Sequence, residues 1–162
     1  MSEINFDPGR LAAFEEMQGV WKRQYESLAI LKETAKTILG YTSLFLGLLS
    51  VLQISNFFSS PSVIYKWLGG AAAASYICLV WLCLTIIAPT EVYAPIDSEW
   101  DVLAEYLFDK SGDALLEQRI VSYLGVIKDN DIVLAKRSAM LKWAGRLFAA
   151  IVLLLFLMGL AA

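Results

Sequence analysis

The sequence predicts an all-α membrane protein: three transmembrane helices, with two long helices extending into a cytoplasmic helical stalk. Three observations predict it. Residues 37–65, 67–90 and 147–162 contain no Asp, Glu, Lys or Arg. A bilayer core is crossed by roughly 20 apolar residues in helix, and a charge at its centre costs about 2.5–3.5 kcal/mol on insertion scales. The apolar share of 58% and the mean hydropathy of +0.60 exceed the roughly 45–50% apolar content of soluble domains. Finally, the basic residues are unevenly distributed between the connections, as they are in multi-pass membrane proteins.

The elements follow in order. Residues 1–36 read as a cytoplasmic N-terminal helix. Asp7-Pro8 supplies an N-cap and a first-turn proline. Leu11, Phe14, Trp21, Tyr25 and Leu28 then recur at helical spacing, with Gln18 in the gap. The opening MSEINFDPGRLAAFEE is acidic and has no apolar core, so it does not read as a secretory signal. Gly19 is the only weak position before the membrane, so this helix is expected to run into the first span, 37–58. Residues 59–66 form an outer loop. The second span covers 67–89 and is stopped by Pro89. Residues 90–142 read as a cytoplasmic helical region. Within it, Ser98 and Asp101 frame a short helix through Trp100, Leu103 and Leu107, which ends at Lys110-Ser111-Gly112. Asp113 caps a further helix with the seam Leu116, Ile120, Tyr123, Ile127, Asn130 and Leu134. No proline follows, so that helix is expected to continue into the third span, 143–162. Tyr65, Trp67 and Trp143 stand at expected interfaces.

Lysine and arginine set the orientation. Arg10, Lys22, Arg23, Lys32 and Lys36 precede the first span, and only Lys66 lies in the 59–66 loop. Lys110, Arg119, Lys128, Lys136, Arg137 and Lys142 follow the second span. Positive residues stay inside. The N-terminus and the long connection are therefore expected in the cytoplasm and the C-terminus outside, in an inner membrane. Lys32, Lys36, Lys136, Arg137, Lys142 and Arg146 are the membrane-flanking basic set, with Arg146 expected to snorkel its head back to the phosphates.

The two long helices are expected to rise in parallel, with their seams packed together. Gln18 and Asn130 are the polar members of those seams. They are either solvated edges or a buried amide pair that fixes register.

Composition excludes several functions. There is no histidine, the commonest acid–base group and metal ligand. No nucleophile–base pair, phosphate-binding glycine loop or metal-spaced cluster is present. Glu15-Glu16 and Asp129/Asp131 read as solvated helix positions. An enzyme, a cofactor and a metal are not expected. Sixteen acidic residues against thirteen basic argue against nucleic acid, which wants a basic domain. The spans carry no ionisable group of the kind that couples transport to ions. Cys78 and Cys83 lie five apart on different helix faces and read as apolar fillers.

The spans do offer small residues. Ser43, Gly47 and Ser50 share one face of the first. Gly69/Ala73 and Gly70/Ala74 are small-xxx-small pairs in the second, and Gly145/Ala149 is another in the third. Such faces let backbones approach closely, within one chain or between chains.

The run LKETAKTILG, with Lys32 to Lys36 followed by Ile38-Leu39-Gly40, resembles the phrase that precedes the first span in a set of small three-span prokaryotic proteins. Asn130, Lys136 and Ala144 match their second phrase. Leu31 stands where that set has Asp before the Lys. These proteins are similar to the membrane module of Pycsar transmembrane effectors and the SLATT group. The resemblance implies an oligomeric inner-membrane effector that permeabilises or depolarises the membrane in antiphage defence. No cyclic-nucleotide-binding domain is visible, so a soluble cytoplasmic sensor protein is the implied partner, beside membrane lipids and further copies of the chain. The alternative is a non-conducting scaffold that docks a soluble partner through its cytoplasmic helices. Any pore would take its polar lining from Thr37, Tyr41, Thr42, Ser43, Ser50 and Gln53.

Overall fold

The computed structural model describes residues 8–59, 63–89 and 112–161, with side chains undescribed at 48–59, 112, 113, 115, 160 and 161. The expected 98–107 helix and its caps lie outside these residues, as does Asp7. The described residues form three helices: α1 (Pro8–Ser59), α2 (Val63–Ile87) and α3 (Gly112–Ala161).

Local chemistry accounts for the boundaries. Pro8 opens α1, where its missing N–H costs nothing. The helix passes through Gly19 unbroken for 52 residues. Ser59 lies two residues before Pro61, whose ring disfavours helix in the residue preceding it. α2 begins at Val63, four residues before the Trp67 expected from the sequence, because nothing between Pro61 and Trp67 breaks a helix. Its last hydrogen bond runs from the Ala88 N–H to the Leu84 carbonyl at 2.9 Å, and Pro89 prevents another turn. α3 begins at Gly112, and the side chain of Asp113, the expected cap, lies outside the described residues. The 50 residues of α3 contain no proline and run without interruption.

The chain divides into two compact units. The first comprises residues 1–29 and 90–135, the second 30–89 and 136–162.

In the first unit, α1 and α3 run parallel. Arg10 meets Glu117 at 3.7 Å, Phe14 packs edge-on against Tyr123 with ring centroids 5.6 Å apart, and Gln24 bonds to residues 127 and 131. The partners advance together along both helices. Trp21 also packs edge-on against Tyr123 and stacks on Tyr25.

In the second unit, segments of all three helices enclose an apolar core. It contains Ala35 of α1, Tyr65, Ala72, Leu79, Cys83 and Ile86 of α2, and Ala144, Ile151, Leu155 and Met158 of α3. Ala35, Ala72 and Ala144, one from each helix, are its small members, a residue type that suits close helix packing.

Buried positions recur every seven residues. In α2 they are Tyr65, Ala72, Leu79 and Ile86, and in α3 Leu116, Tyr123, Asn130, Arg137, Ala144, Ile151 and Met158. In α1, Leu28, Ala35 and Thr42 keep the same step. A seven-residue burial period is the mark of coiled-coil packing, in which two helical turns return each side chain to its seam.

Two expectations are corrected here. Of the two readings of Gln18 the solvated edge is the one that holds, since Gln18 is exposed; the expected seam is shifted, and the amide buried in it is Gln24. The seam runs through Phe14, Met17, Trp21, Gln24 and Leu28, a phase that an apolar reading passes over because a glutamine occupies it. Tyr65 is fully buried in the second unit and so is not an interfacial anchor.

Candidate functional site

The second unit turns much of its apolar surface outward. The most apolar 18-residue stretches of α2 and α3 are only 22% and 17% buried. A helix from the core of a soluble domain would be mostly buried. Ile77, Trp81 and Leu84 of α2 are exposed, as are Leu153, Phe156 and Leu157 of α3 and Leu44 of α1. Both helices are long and apolar enough to cross a membrane.

Three threonine hydroxyls of the second unit are satisfied within their own helices. Thr37 Oγ1 donates to the Glu33 carbonyl at 2.9 Å, Thr42 Oγ1 to that of Ile38 at 2.6 Å, and Thr85 Oγ1 to that of Trp81 at 2.8 Å. Such bonds back to the preceding turn leave no free donor for an apolar surrounding. The Ser43 and Tyr76 hydroxyls pair at 3.0 Å between α1 and α2.

Arg137 is the unusual group of the second unit. It occupies a core position of α3 and is only 6% exposed. Its Nη1 donates to the Ile86 carbonyl and its Nη2 to the Ala88 carbonyl, the latter at 3.1 Å. The last carbonyls of a helix lack partners within it, and a cation there is favoured by the helix dipole. Arg137 therefore clamps the C-terminal end of α2 to α3. It was expected among the headgroup-facing basic residues, and the structure corrects that. A planar fork of donors can bond two carbonyls at once, and the α2 end supplies those of Ile86 and Ala88.

The other flanking basic residues are placed as follows. Lys36, Lys136, Lys142 and Arg146 are exposed, and Lys32 is half-buried. Lys36 pairs with Glu33 at 2.6 Å. The Arg146 guanidinium lies over the Trp143 ring, 4.8 Å from its centroid. It thus points back toward the N-terminal end of α3, three residues earlier.

Among the small residues, Gly69 is half-buried, and Gly70, Ala73, Ala74 and Ala149 are exposed. Gly47 and Gly70 are exposed and Gly145 half-buried, and a Cβ at any of the three would meet nothing within 4 Å. The small residues buried in the core are instead Ala35, Ala72 and Ala144. Ser50 and Gln53 lie outside the described side chains. Thr42 is 1% exposed, which removes it from any water-lined surface, whereas Tyr41 points outward. Cys78 is exposed and Cys83 buried, on the different faces their spacing implied.

The first unit holds a polar layer. Gln24 Nε2 donates to the Ile127 carbonyl at 3.0 Å and to Asp131 Oδ1 at 2.7 Å. Asn130 is buried beside them in the α3 seam. Asn130 was legible from its seam spacing. The signal for Gln24 was equally simple, since it stands three residues after Trp21 and four before Leu28. No signal marked the Arg137 clamp, because its partners are backbone atoms about fifty residues away.

Among the described residues no three His, Cys, Asp or Glu side chains gather as a metal site. No family model, curated protein or solved structure matches the chain.

Proposed function

We propose that the chain is a three-span inner-membrane protein, with its N-terminus and the 90–142 connection in the cytoplasm and its C-terminus outside, and that it assembles into oligomers that permeabilise or depolarise the membrane. The observation that carries the membrane reading is the outward apolar surface of the second unit, with less than a quarter of its most apolar stretches buried. Lipid is the occupant that such a surface fits. The first span, 37–58, rests on its charge-free sequence. Support for orientation comes from the basic flanks and from Arg146 stacked on Trp143, an arrangement suited to the headgroup level.

Assembly is supported by Gly47, Gly70, Ala73 and Ala74. All four are exposed, and among the described residues nothing lies within 4 Å of a Cβ built at Gly47 or Gly70; a second copy would exploit such small faces. The leak itself rests on the resemblance carried by LKETAKTILG and by Asn130, Lys136 and Ala144. Such a pore would be lined by hydroxyls and glycines, would select weakly among ions and would close by dewetting. The test is ion flux from liposomes holding the purified protein at rising protein-to-lipid ratio. Leak that climbs steeply with the ratio is expected, and tight liposomes containing oligomers would refute it.

One observation favours a second reading, a scaffold without a pore. In the first unit Tyr25, Val121, Leu124 and Ile132 are large, apolar and exposed, a surface suited to docking a soluble partner. Tight liposomes would leave that reading standing.

A further inference from the structure

Among the described residues, four buried side-chain atoms lack a hydrogen-bond partner: Trp21 Nε1, Gln24 Oε1, Arg119 Nε and Asn130 Nδ2. All four belong to the first unit. Two of them, an acceptor on Gln24 and a donor on Asn130, come from amides that are only 8% and 5% exposed. They share one layer, because the two groups that Gln24 Nε2 contacts, the Ile127 carbonyl and Asp131 Oδ1, bracket Asn130 on α3. A layer with both an orphan donor and an orphan acceptor is a poor stabiliser, since buried polar groups without partners are costly. Leucine at both positions would pack the seam better.

We propose that the Gln24–Asn130–Asp131 layer is a register lock for the parallel α1–α3 pair, retained for specificity at the expense of stability. A seam that is otherwise apolar and repeats every seven residues can slip by one repeat and still bury hydrocarbon. The layer distinguishes the registers. In the native one, Gln24 Nε2 reaches the Asp131 carboxylate. Slipped by seven in one direction, Gln24 comes level with Leu124 in place of Asp131, and Tyr123 replaces Asn130. Slipped the other way, Ser138 replaces Asp131, and Arg137 replaces Asn130. Each slip removes the carboxylate acceptor from a buried amide, and a single polar core residue is known to fix register in this manner.

The experiment uses the full chain in detergent, with Cys78→Ser to remove the exposed thiol. Arg10 and Glu117 face each other in the native register. Arg10→Cys with Glu117→Cys reports that register through a short bis-maleimide cross-linker. Arg10→Cys with Leu124→Cys reports the slip that brings Ser138 level with Gln24, about 10.5 Å further along α3, and Met17→Cys with Glu117→Cys reports the opposite slip. With the layer intact, cross-linking is expected at 10–117 and negligible at 10–124 and 17–117. With Gln24→Leu and Asn130→Leu together, the melting temperature is expected to rise and a slipped product, 10–124 or 17–117, to appear. Gln24→Leu alone leaves Asn130 buried and unmatched, and is expected to melt below the double variant. A double variant that cross-links only at 10–117 would overturn the proposal, as would one that melts lower than the parent.

Discussion

Arg137 offers the sharpest test of how the second unit is held together. Replacing it with Met keeps most of the buried hydrocarbon but removes both donors. Two effects then compete. Loss of the guanidinium relieves the burial of a charge, which costs several kcal/mol in proteins. It also strands the Ile86 carbonyl, in a residue with no exposed surface, and weakens the less buried contact to Ala88. A buried acceptor left without a partner costs about 1–3 kcal/mol, and a cation at a helix C-terminus contributes up to about 2 kcal/mol when partly buried. The relief lies at the low end of that range because the guanidinium is delocalised, weakly hydrated and already doubly bonded. Set against the two losses, up to about 5 kcal/mol together, a relief of about 3 kcal/mol leaves Arg137→Met less stable by at most about 2 kcal/mol, at roughly 2–4 °C of melting temperature per kcal/mol for a chain of this length. Arg137→Lys separates charge from geometry. An ammonium is more strongly hydrated and does not present a planar fork to two carbonyls, so Lys should melt no higher than Met. Thermal unfolding of the purified protein in detergent, followed by far-UV circular dichroism, measures both. If Arg137→Met melts at or above the parent temperature, burial of the charge dominates and the clamp reasoning is refuted. If Lys restores the parent stability, charge alone matters and the two-carbonyl geometry does not.

Other outcomes follow from the same picture. A reporter fused after Ala162 should be read outside the membrane and one inserted near Gly112 in the cytoplasm, and both appearing on one side would sink the three-span topology. Gly70→Leu or Ala74→Leu should lower oligomer size in detergent while barely changing the melting of the single chain, because a side chain at Gly70 meets nothing within it; unchanged oligomers would mean that this face meets lipid. Ser43→Leu combined with Ser50→Leu should suppress ion leak from liposomes, and Ser43→Ala, which loses only the 3.0 Å bond to Tyr76, should not. Equal loss of leak in both would assign the effect to the hydrogen bond instead of to a polar lining.

The elements were legible in the sequence because prolines and charge-free runs mark them. Pro8 and Pro89 bound helices where local sterics require it, and the absence of proline in 112–161 foretold one uninterrupted helix. The core was less legible. A seam read from apolar spacing assumes that core positions are apolar, and here Gln24, Thr42, Asn130 and Arg137 occupy them. Thr42 can be buried because its hydroxyl is returned to the Ile38 carbonyl, Gln24 because α3 offers a carbonyl and a carboxylate, and Arg137 because the end of α2 offers two carbonyls. Each compensation comes from tertiary structure or from the residue's own backbone turn, which composition does not display. The same reason hides the difference between Lys136 and Arg137. They are adjacent basic residues in the sequence, but a step of 100° around the helix leaves one in solvent and the other in the core.

The sevenfold step in α3 restricts how its length can change. Adding or deleting one residue between Leu116 and Met158 turns everything beyond it by about 100°, which would swing Ala144 and Ile151 out of their seam and bring exposed neighbours in. Adding seven returns every later side chain to within about 20° of its former direction. Length in this helix is therefore quantised: natural variants and engineered extensions should differ from this chain by whole sevens, whereas substitutions at its exposed positions remain free.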